Sequence, residues 1–527
     1  SIAERVVGTN DFAEKILVIN AKSSDIEDLP ASPDLLVSEL LDSALLGEGC
    51  IPAHTDALTR LVSQEGLDGD FRNRVIPYSG AVYATLVESA EVNNMHDVDS
   101  IKLAAAGLHP HRTDAASGPP ACKGGWSVVP VHWTEMLSRG ARELSSATQV
   151  LHPNFVLFAG DDSTSAETFS AEEEWYYTDI TATNAGVVHG VLMWWTLYLL
   201  SPEIDPAREC TYSTASGAQN WQDHWQQTVY PLPESISVSA GEVVRVYAKH
   251  DSVQIQIYAE KVAPAPSEGP ETPDSKRARQ NSAPSAPHED TMVLCSELPE
   301  ALLDDCRTLC MCGWHVLCGA ERFQSMCDAC KGATWQEALD ETLAALPAPE
   351  GPTGVLLDLS DGSLLGLSAA KNLQSAGRDA SVKVVSKEAK LYSRMFFGQV
   401  AASNNLDEGL LLWDGQDLSE IADFISNEQE SDAEDDDVEE MAVTEVEGAV
   451  PPAALIGSVV GLVSECYYYQ LHALPTWQAL SFFYQVQCLR RQGLLHTQCR
   501  VLPGRALVKA AVFELPNLSR CHGLAGT

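Results

Sequence analysis

Positive charge is the scarcest ingredient of this chain. Thirty-three Lys and Arg residues stand against 74 Asp and Glu residues, a formal net charge of −41 at pH 7. Such an acidic surface repels nucleic-acid phosphate, which argues against DNA or RNA as a direct partner and makes a basic substrate the natural one. Long apolar runs are missing too. The longest, about residues 185–200, contains His189 and falls short of the ~20 residues that span a bilayer. It reads as a buried strand pair, and no membrane partner is expected. No charged-then-apolar leader follows Ser1, so no signal peptide is expected. The 14 cysteines then favour free thiols and metal ligation in a reducing compartment over a disulfide framework. The rest is ordinary: 45% apolar residues is a globular content, and a length of 527 residues predicts about three or four domains.

The most informative stretch is Leu36-Val-Ser-Glu39-Leu-Leu-Asp42-Ser-Ala-Leu-Leu-Gly-Glu48-Gly49. An apolar run that reads as a buried strand opens it. Glu39 and Glu48 then fall nine residues apart on one expected loop, with Gly47 and Gly49 bracketing the second acid. Two acids converging on one small volume suit a planar cation, because a guanidinium presents paired N–H donors in a fixed fork. Carboxylates are mostly surface residues, so the plain alternative is that Glu39 caps the strand and Glu48 is solvated.

A repeat points to two copies of one architecture. Leu36-Val-Ser-Glu39 recurs as Leu462-Val-Ser-Glu465, an offset of 426 residues, and at the same offset Arg74-Val-Ile-Pro77 falls on Arg500-Val-Leu-Pro503. Two matches in one register indicate duplication. The position equivalent to Glu48 is Leu474, so the second copy keeps the first acid and loses the second. One acid cannot hold a guanidinium from both sides, and the second copy is expected to be non-catalytic.

Residues 1–74 alternate short apolar runs and helical stretches, with strands expected over Lys15–Asn20 and Leu35–Glu39 and a loop over Ala21–Asp25 between them. Residues 75–262 are rich in strand patterns, and the period-two alternation of Val253–Tyr258 reads as a half-buried strand. An antiparallel barrel is expected there. Residues 263–292 form a Pro-, Ser- and charge-rich linker with little to bury, and 293–350 a cysteine-rich junction. A second α/β pattern occupies 351–470, interrupted by an acidic run at 428–440 that is too charged to pack. Residues 471–527 are expected to begin a second barrel.

Several ordered motifs together resemble the protein arginine N-methyltransferases, in particular their tandem, monomethylating (type III) branch. The loop from Glu39 to Gly49 with Ile51-Pro52-Ala53-His54 is similar to the family's double-E loop. Arg74–Glu88 and Val191-Leu-Met-Trp-Trp195 follow in order. Trp221-Gln-Asp-His-Trp-Gln-Gln-Thr-Val-Tyr230 is similar to the family's Thr-His-Trp loop, with Asp223 in the Thr place. The resemblance covers most of the chain apart from linkers. It implies an α/β plus β fold: an S-adenosylmethionine-dependent, Rossmann-like methyltransferase domain followed by an antiparallel β-barrel, duplicated in tandem with a degenerate second copy. It implies an enzyme that methylates arginine in basic proteins such as histones and RNA-binding proteins, probing no nucleic acid directly and working as a monomeric, intramolecular pseudo-dimer.

By resemblance, Glu39 and Glu48 are the catalytic acids and Asp42 shapes their loop. His224 and Trp225 close the arginine pocket, with Gln227 a weaker candidate. Lys22, Ser23 and Ser24 resemble the segment along the adenine of the cofactor, or are merely turn residues. The Gly-x-Gly turn that should follow the first strand of such a domain does not precede Lys15, and the chain is therefore expected to be truncated at both ends. In the second copy, Val355-Leu-Leu-Asp-Leu-Ser-Asp-Gly-Ser363 retains only Gly362 of that turn, and Ser386 stands where a ribose-binding acid belongs. Cys310-x-Cys312-x-x-His315 matches a structural zinc site, with Cys521 as the first choice of fourth ligand and Cys318, Cys327 or Cys330 as alternatives. Lys276-Arg-Ala-Arg279 reads as a nuclear address, giving a cytoplasmic and nuclear location. The competing expectations are a catalytically inactive pseudo-methyltransferase scaffold that binds arginine-rich partners and, further off, a zinc-dependent interaction module.

Overall fold

The computed structural model describes residues 1–27, 29–65, 70–96, 98, 101, 108–109, 128–156, 169–218, 224–262, 292–299, 302, 312–351, 353–360, 362–388, 390–406, 408–415, 421, 457–466 and 480–507. The chain divides into two units, Ser1–Val98 with Cys122–Gln324, and Asp99–Ala121 with Ser325–Thr527. The linker at 263–291 and the acidic run at 428–440 lie outside the described residues.

The first unit opens with helix α1 (Ile2–Thr9), started by a Ser1/Glu4 capping box. The strand expected over Lys15–Asn20 does not form; Ile16, Leu17 and Ile19 are exposed instead. A strand is stable only with a ladder neighbour to take its N–H and C=O groups, and none pairs with this stretch among the described residues. A 3₁₀ turn follows at Ser23–Asp25. Strand β1 (Leu36–Val37) leads to helix α2 (Cys50–Arg60), and β2 (Val75–Ile76) returns parallel to β1, with Leu36 opposite Val75 and Val37 opposite Ile76.

From Ser79 onward the pairing is antiparallel. The elements are β3 (Ser79–Glu88), α3 (Ala90–Asn94), β4 (Val129–Val131), α4 (Trp133–Ser138), β5 (Arg142–Glu143), β6 (Thr148–Leu151) and β7 (Tyr176–Thr181). They continue with β8 (Gly186–Tyr198), β9 (Thr211–Ser213), β10 (Gln227–Val238), β11 (Val243–His250), β12 (Ile255–Lys261) and β13 (Val293–Leu294). One sheet runs β4-β10-β8-β3-β5, with β6 on β3 and β9 on β8; the other runs β12-β11-β7-β13. Both line one core, which joins Val82, Leu86, Val191, Met193, Trp195 and Tyr230 to Ile180, Val246, Ile255 and Ile257. The apolar run at 185–200 is one thirteen-residue strand, β8, and not a strand pair. Its unbroken hydrophobicity follows from burial on both faces: Val191, Met193 and Trp195 lie in the main core, and Leu192 and Trp194 in or against a second cluster around Trp133. β13, in the stretch expected as the cysteine-rich junction, pairs with Tyr176 and Tyr177 of β7. Helix α5 (Gly313–Leu317) comes next, and α6 (Ala320–Cys327) spans the division between the units.

The second unit holds α7 (Ala329–Ala344), β14 (Gly354–Asp358), α8 (Leu365–Ser375), β15 (Val382–Lys387), α9 (Leu391–Ser403), β16 (Leu410–Trp413), β17 (Val459–Val463), α10 (Ser481–Arg491) and β18 (Leu495–Leu502). Its sheet is wholly parallel in the order β16-β15-β14-β17-β18. Every residue of β14 and β17 is buried, as expected for the middle of a parallel sheet. β18 falls in the stretch expected to open a second barrel at 471, yet it pairs in parallel with β17, Leu462 opposite Val501 and Val463 opposite Leu502. That register lies 426 residues beyond the β1–β2 register. No helix among the described residues is long and apolar enough to cross a membrane.

Candidate functional site: a loop with two exposed acids

The loop from Glu39 to Glu48 is pinned from below. Leu41, Leu45, Leu46 and Cys50 are buried in the barrel core, which fixes the loop's inner side by ordinary apolar burial. Across its middle, the Gly47 N–H donates to Asp42 Oδ1 at 3.1 Å. A Cβ on Gly47 would stand 2.1 Å from Asp42 Oδ2, so any side chain there would push the Asp42 carboxylate aside; the expected shaping role of Asp42 has this physical form. Leu45 adopts φ 77°, an uncommon left-handed conformation for a branched residue; the turn Leu45 N–H to Asp42 O and its burial hold it there. Gly49 is left-handed at the start of α2. Glu39 and Glu48 are exposed, and neither carboxylate makes a hydrogen bond or ion pair among the described residues.

The barrel meets this loop with aromatic donors. The Trp225 indole N–H donates to Leu41 O at 3.1 Å, the Trp195 indole to Ser43 O at 3.2 Å, and the Gln226 N–H to Ser43 Oγ at 3.0 Å. Trp225 packs edge-on against Trp195 and Tyr212, with ring centroids 5.5 and 5.2 Å away. The exposed His224 ring lies 4.5 Å from that of Trp225. The structure therefore brings Trp225, with His224 beside it, to the two-acid loop. Gln227 does not join them. It is fully buried, accepts from Trp133 N and donates to Thr214 O, so both ends of its amide are committed to the barrel. Trp195 and Tyr212 were not singled out by sequence as parts of the site. Alternation along β8 puts the two adjacent tryptophans on opposite faces, Trp195 in the core shared by both sheets and Trp194 against the cluster around Trp133.

Lys22, Ser23 and Ser24 sit on the exposed 3₁₀ turn. Arg60 ties that turn to α2, donating to Ser23 O and Ile26 O while paired with Asp56. Ser24 Oγ donates to Asp25. An open groove of about 490 Å³ runs along the outward face of α2, lined by Ile51, Thr55, Asp56, Arg60, Glu172 and Ser252 among others, and none of the three residues reaches it. By themselves they do not form a cradle for a nucleoside.

Of the expected metal ligands, Cys310 and Cys521 lie outside the described residues. Cys312 and His315 are brought together, Sγ 3.1 Å from Nδ1, with Cys312 capping α5. This contact is a hydrogen bond, between two residue types that can ligate zinc. No group of three candidate ligands occurs among the described residues. Of the alternatives, Cys318 and Cys327 are buried and Cys330 is exposed.

In the second unit the equivalent acid has a different fate. Glu465 is 1% exposed, takes a hydrogen bond from Ser363 Oγ at 2.9 Å and pairs with Lys331 Nζ at 3.0 Å. Ser360 Oγ donates to Asp358 Oδ1 and accepts from the Glu465 N–H. Ser386 Oγ donates to the other Asp358 oxygen. Serine side chains thus fill the ends of β14 and β15, where an open α/β sheet would bind a ligand, and Leu474 lies outside the described residues.

Burial pushes the Asp358 carboxyl up to about 6, against the hydrogen bonds from Ser360 and Ser386. The folded form therefore holds a proton that the unfolded form, near 3.8, has released. This group's contribution should fall by about 2–3 kcal/mol as pH rises from about 4 to above 6. Asp358→Asn removes that slope. Urea unfolding of both proteins at the two pH values should show the stability difference shifting by that amount; a pH-independent difference contradicts it.

Residues 147–258, from β6 into β12, match the arginine methyltransferase oligomerization subdomain. Over 99% of its length the chain is 24% identical to protein arginine N-methyltransferase 7 of Xenopus laevis, and over 100% it is 25% identical to that of Danio rerio. It spans 62% and 63% of those two proteins. A solved structure of Arabidopsis thaliana protein arginine methyltransferase 10 overlaps 48% of the chain and 72% of its own length, with 17% identity and a TM-score of 0.34. By the matched subdomain and along essentially its whole length, this chain is similar to the protein arginine N-methyltransferases.

Proposed function

We propose that the protein is a protein-arginine N-methyltransferase of basic proteins such as histones, using S-adenosylmethionine and stopping at monomethylarginine. The observation that carries this is the pair of exposed carboxylates, Glu39 and Glu48, without partners among the described residues, at the two ends of a loop anchored in the barrel beside Trp225 and His224. When bound, the cofactor supplies a methyl group on a positively charged sulfur. Glu39 and Glu48 act on the acceptor: they offset the repulsion between two cations and draw guanidinium charge toward the nitrogens they touch, leaving more lone-pair character on the attacking nitrogen. They also orient that nitrogen. Trp225 and His224 wall the pocket. No step is assigned to Lys22, Ser23 or Ser24.

Support for a tandem architecture comes from the shared 426-residue register of the two parallel strand pairs. Glu465, buried and already paired, supports a second copy without catalysis. The chain is proposed to work as a monomer in cytoplasm and nucleus, the latter on the basic run Lys276–Arg279. Methyl incorporation from labelled S-adenosylmethionine into arginine peptides tests the activity, and mass spectrometry of the product tests its methylation state. Peptide binding without incorporation would favour an arginine-binding scaffold instead.

A structural zinc on Cys312 and His315, with Cys310 and Cys521, is proposed on the closeness of the first two. Elemental analysis should find about one zinc per chain, lost in Cys312→Ser, because a closed site stays occupied through purification and its binding energy is folding energy. Less than half a zinc in the unmodified protein, or full occupancy in the variant, would end the assignment.

A further inference from the structure

His54 is buried at 2% exposure on the inner face of α2, and nothing in the proposed chemistry uses it. Its ring joins three separate parts of the first unit. Nε2 lies 2.6 Å from Ser38 Oγ, the residue before Glu39. It also lies 3.7 Å from Cys50 Sγ, two residues after Glu48. Nδ1 lies 3.1 Å from the carbonyl oxygen of Phe155, which is itself buried in the barrel core. One neutral tautomer satisfies this set: Nδ1–H donates to Phe155 O, and Nε2 accepts from the Ser38 hydroxyl. Burial holds the imidazole below its ordinary range, consistent with the neutral ring, and pushes the Cys50 thiol up to about 12, so it too stays neutral.

The Asp42–Gly47 bond and the buried leucines shape the middle of the loop. They do not connect its entry to its exit. The Ser38–His54 bond does, and the Phe155 bond refers both ends to the barrel that carries Trp225.

We infer that His54 is a positioning residue that fixes the separation of Glu39 and Glu48 and thereby gives the site its preference for a planar guanidinium over an ammonium. This rests on the proposed role of the two acids. A guanidinium has rigid, forked donors and needs its acceptors at set places, whereas an ammonium has rotatable donors and tolerates their movement. Loss of the tether therefore appears as lost selectivity before it appears as lost charge attraction.

The test measures the affinity of the full chain for an arginine peptide and for its lysine counterpart by calorimetry. In the unmodified protein arginine should be preferred by about tenfold. Ser38→Ala, which removes one hydroxyl, and His54→Phe, which keeps a ring, should each bring the two affinities within about twofold, with lysine binding nearly unchanged. His54→Gln can donate to Phe155 O and accept from Ser38, and should recover part of the preference; a purely structural role would not produce that recovery. Amide exchange provides a measurement independent of ligand: the Leu45 and Gly49 amides should exchange about tenfold faster in Ser38→Ala than in the unmodified protein. Unchanged selectivity in both Ser38→Ala and His54→Phe overturns the inference, as does unchanged exchange. If Glu39→Gln and Glu48→Gln bind the arginine peptide as the unmodified protein does, the role of the acids fails instead, and the exchange result alone then decides whether His54 holds the loop.

Discussion

Glu39→Gln and Glu48→Gln should each lower methyl transfer to an arginine peptide by about 10²–10³-fold, the scale seen when one preorganised electrostatic group is removed from an active site. Each substitution keeps the shape and one acceptor oxygen but replaces a negative charge by a neutral amide whose NH₂ faces the N–H donors of the substrate. The attacking nitrogen then loses both its orientation and the charge that offsets two approaching cations. Both side chains are exposed and make no described contact, so the unfolding midpoint should hardly move. That separates a chemical loss from a folding loss. Full transfer in either variant, measured with labelled cofactor, would remove that acid from the chemistry.

Lys331→Met should destabilise the second unit by about 3 kcal/mol, the low end for removing one partner of a buried ion pair. The low end applies because the Lys331 side chain retains 27% exposure while Glu465 keeps 1%. Once the ammonium is gone, the buried Glu465 carboxylate loses the opposite charge of Lys331, which the Ser363 hydroxyl is too weak a donor to replace. Lys331 also donates to Ser325 Oγ, so some of the loss belongs to that bond. Adding Glu465→Gln removes the charge that Lys331 opposed and should restore most of the stability, a coupling that a double-mutant cycle in urea reads directly. If Lys331→Met unfolds at the same urea concentration as the unmodified protein, Glu465 is not held by this pair.

Glu39 of the first unit and Glu465 of the second were equally visible as letters, and their positions in Leu-Val-Ser-Glu are the same. Their fates differ for reasons that lie far away in sequence. Glu39 follows a two-residue strand at an exposed loop, while Glu465 follows a five-residue strand inside a parallel sheet. There Lys331, more than a hundred residues earlier, supplies the opposing charge.

The sequence by itself determined the acids nine residues apart, the duplicated register, the strand-rich barrel and the motif carrying Trp225. All of these are short-range patterns: spacing, period-two alternation and repetition. Only the tertiary structure decided that Lys15–Asn20 has no strand partner, that residues 185–200 form one strand, that Gln227 is spent inside the barrel and that β18 completes a parallel sheet. It also decided that His54, quoted in a motif without a role, reaches Ser38 and Phe155. The reason is common to all five. A pattern fixes which residues prefer burial, a strand or a turn, but pairing and hydrogen bonding depend on which distant group arrives opposite. The contacts between His54 and Phe155 and between Lys331 and Glu465 bridge 101 and 134 residues, and local periodicity carries no information over such distances.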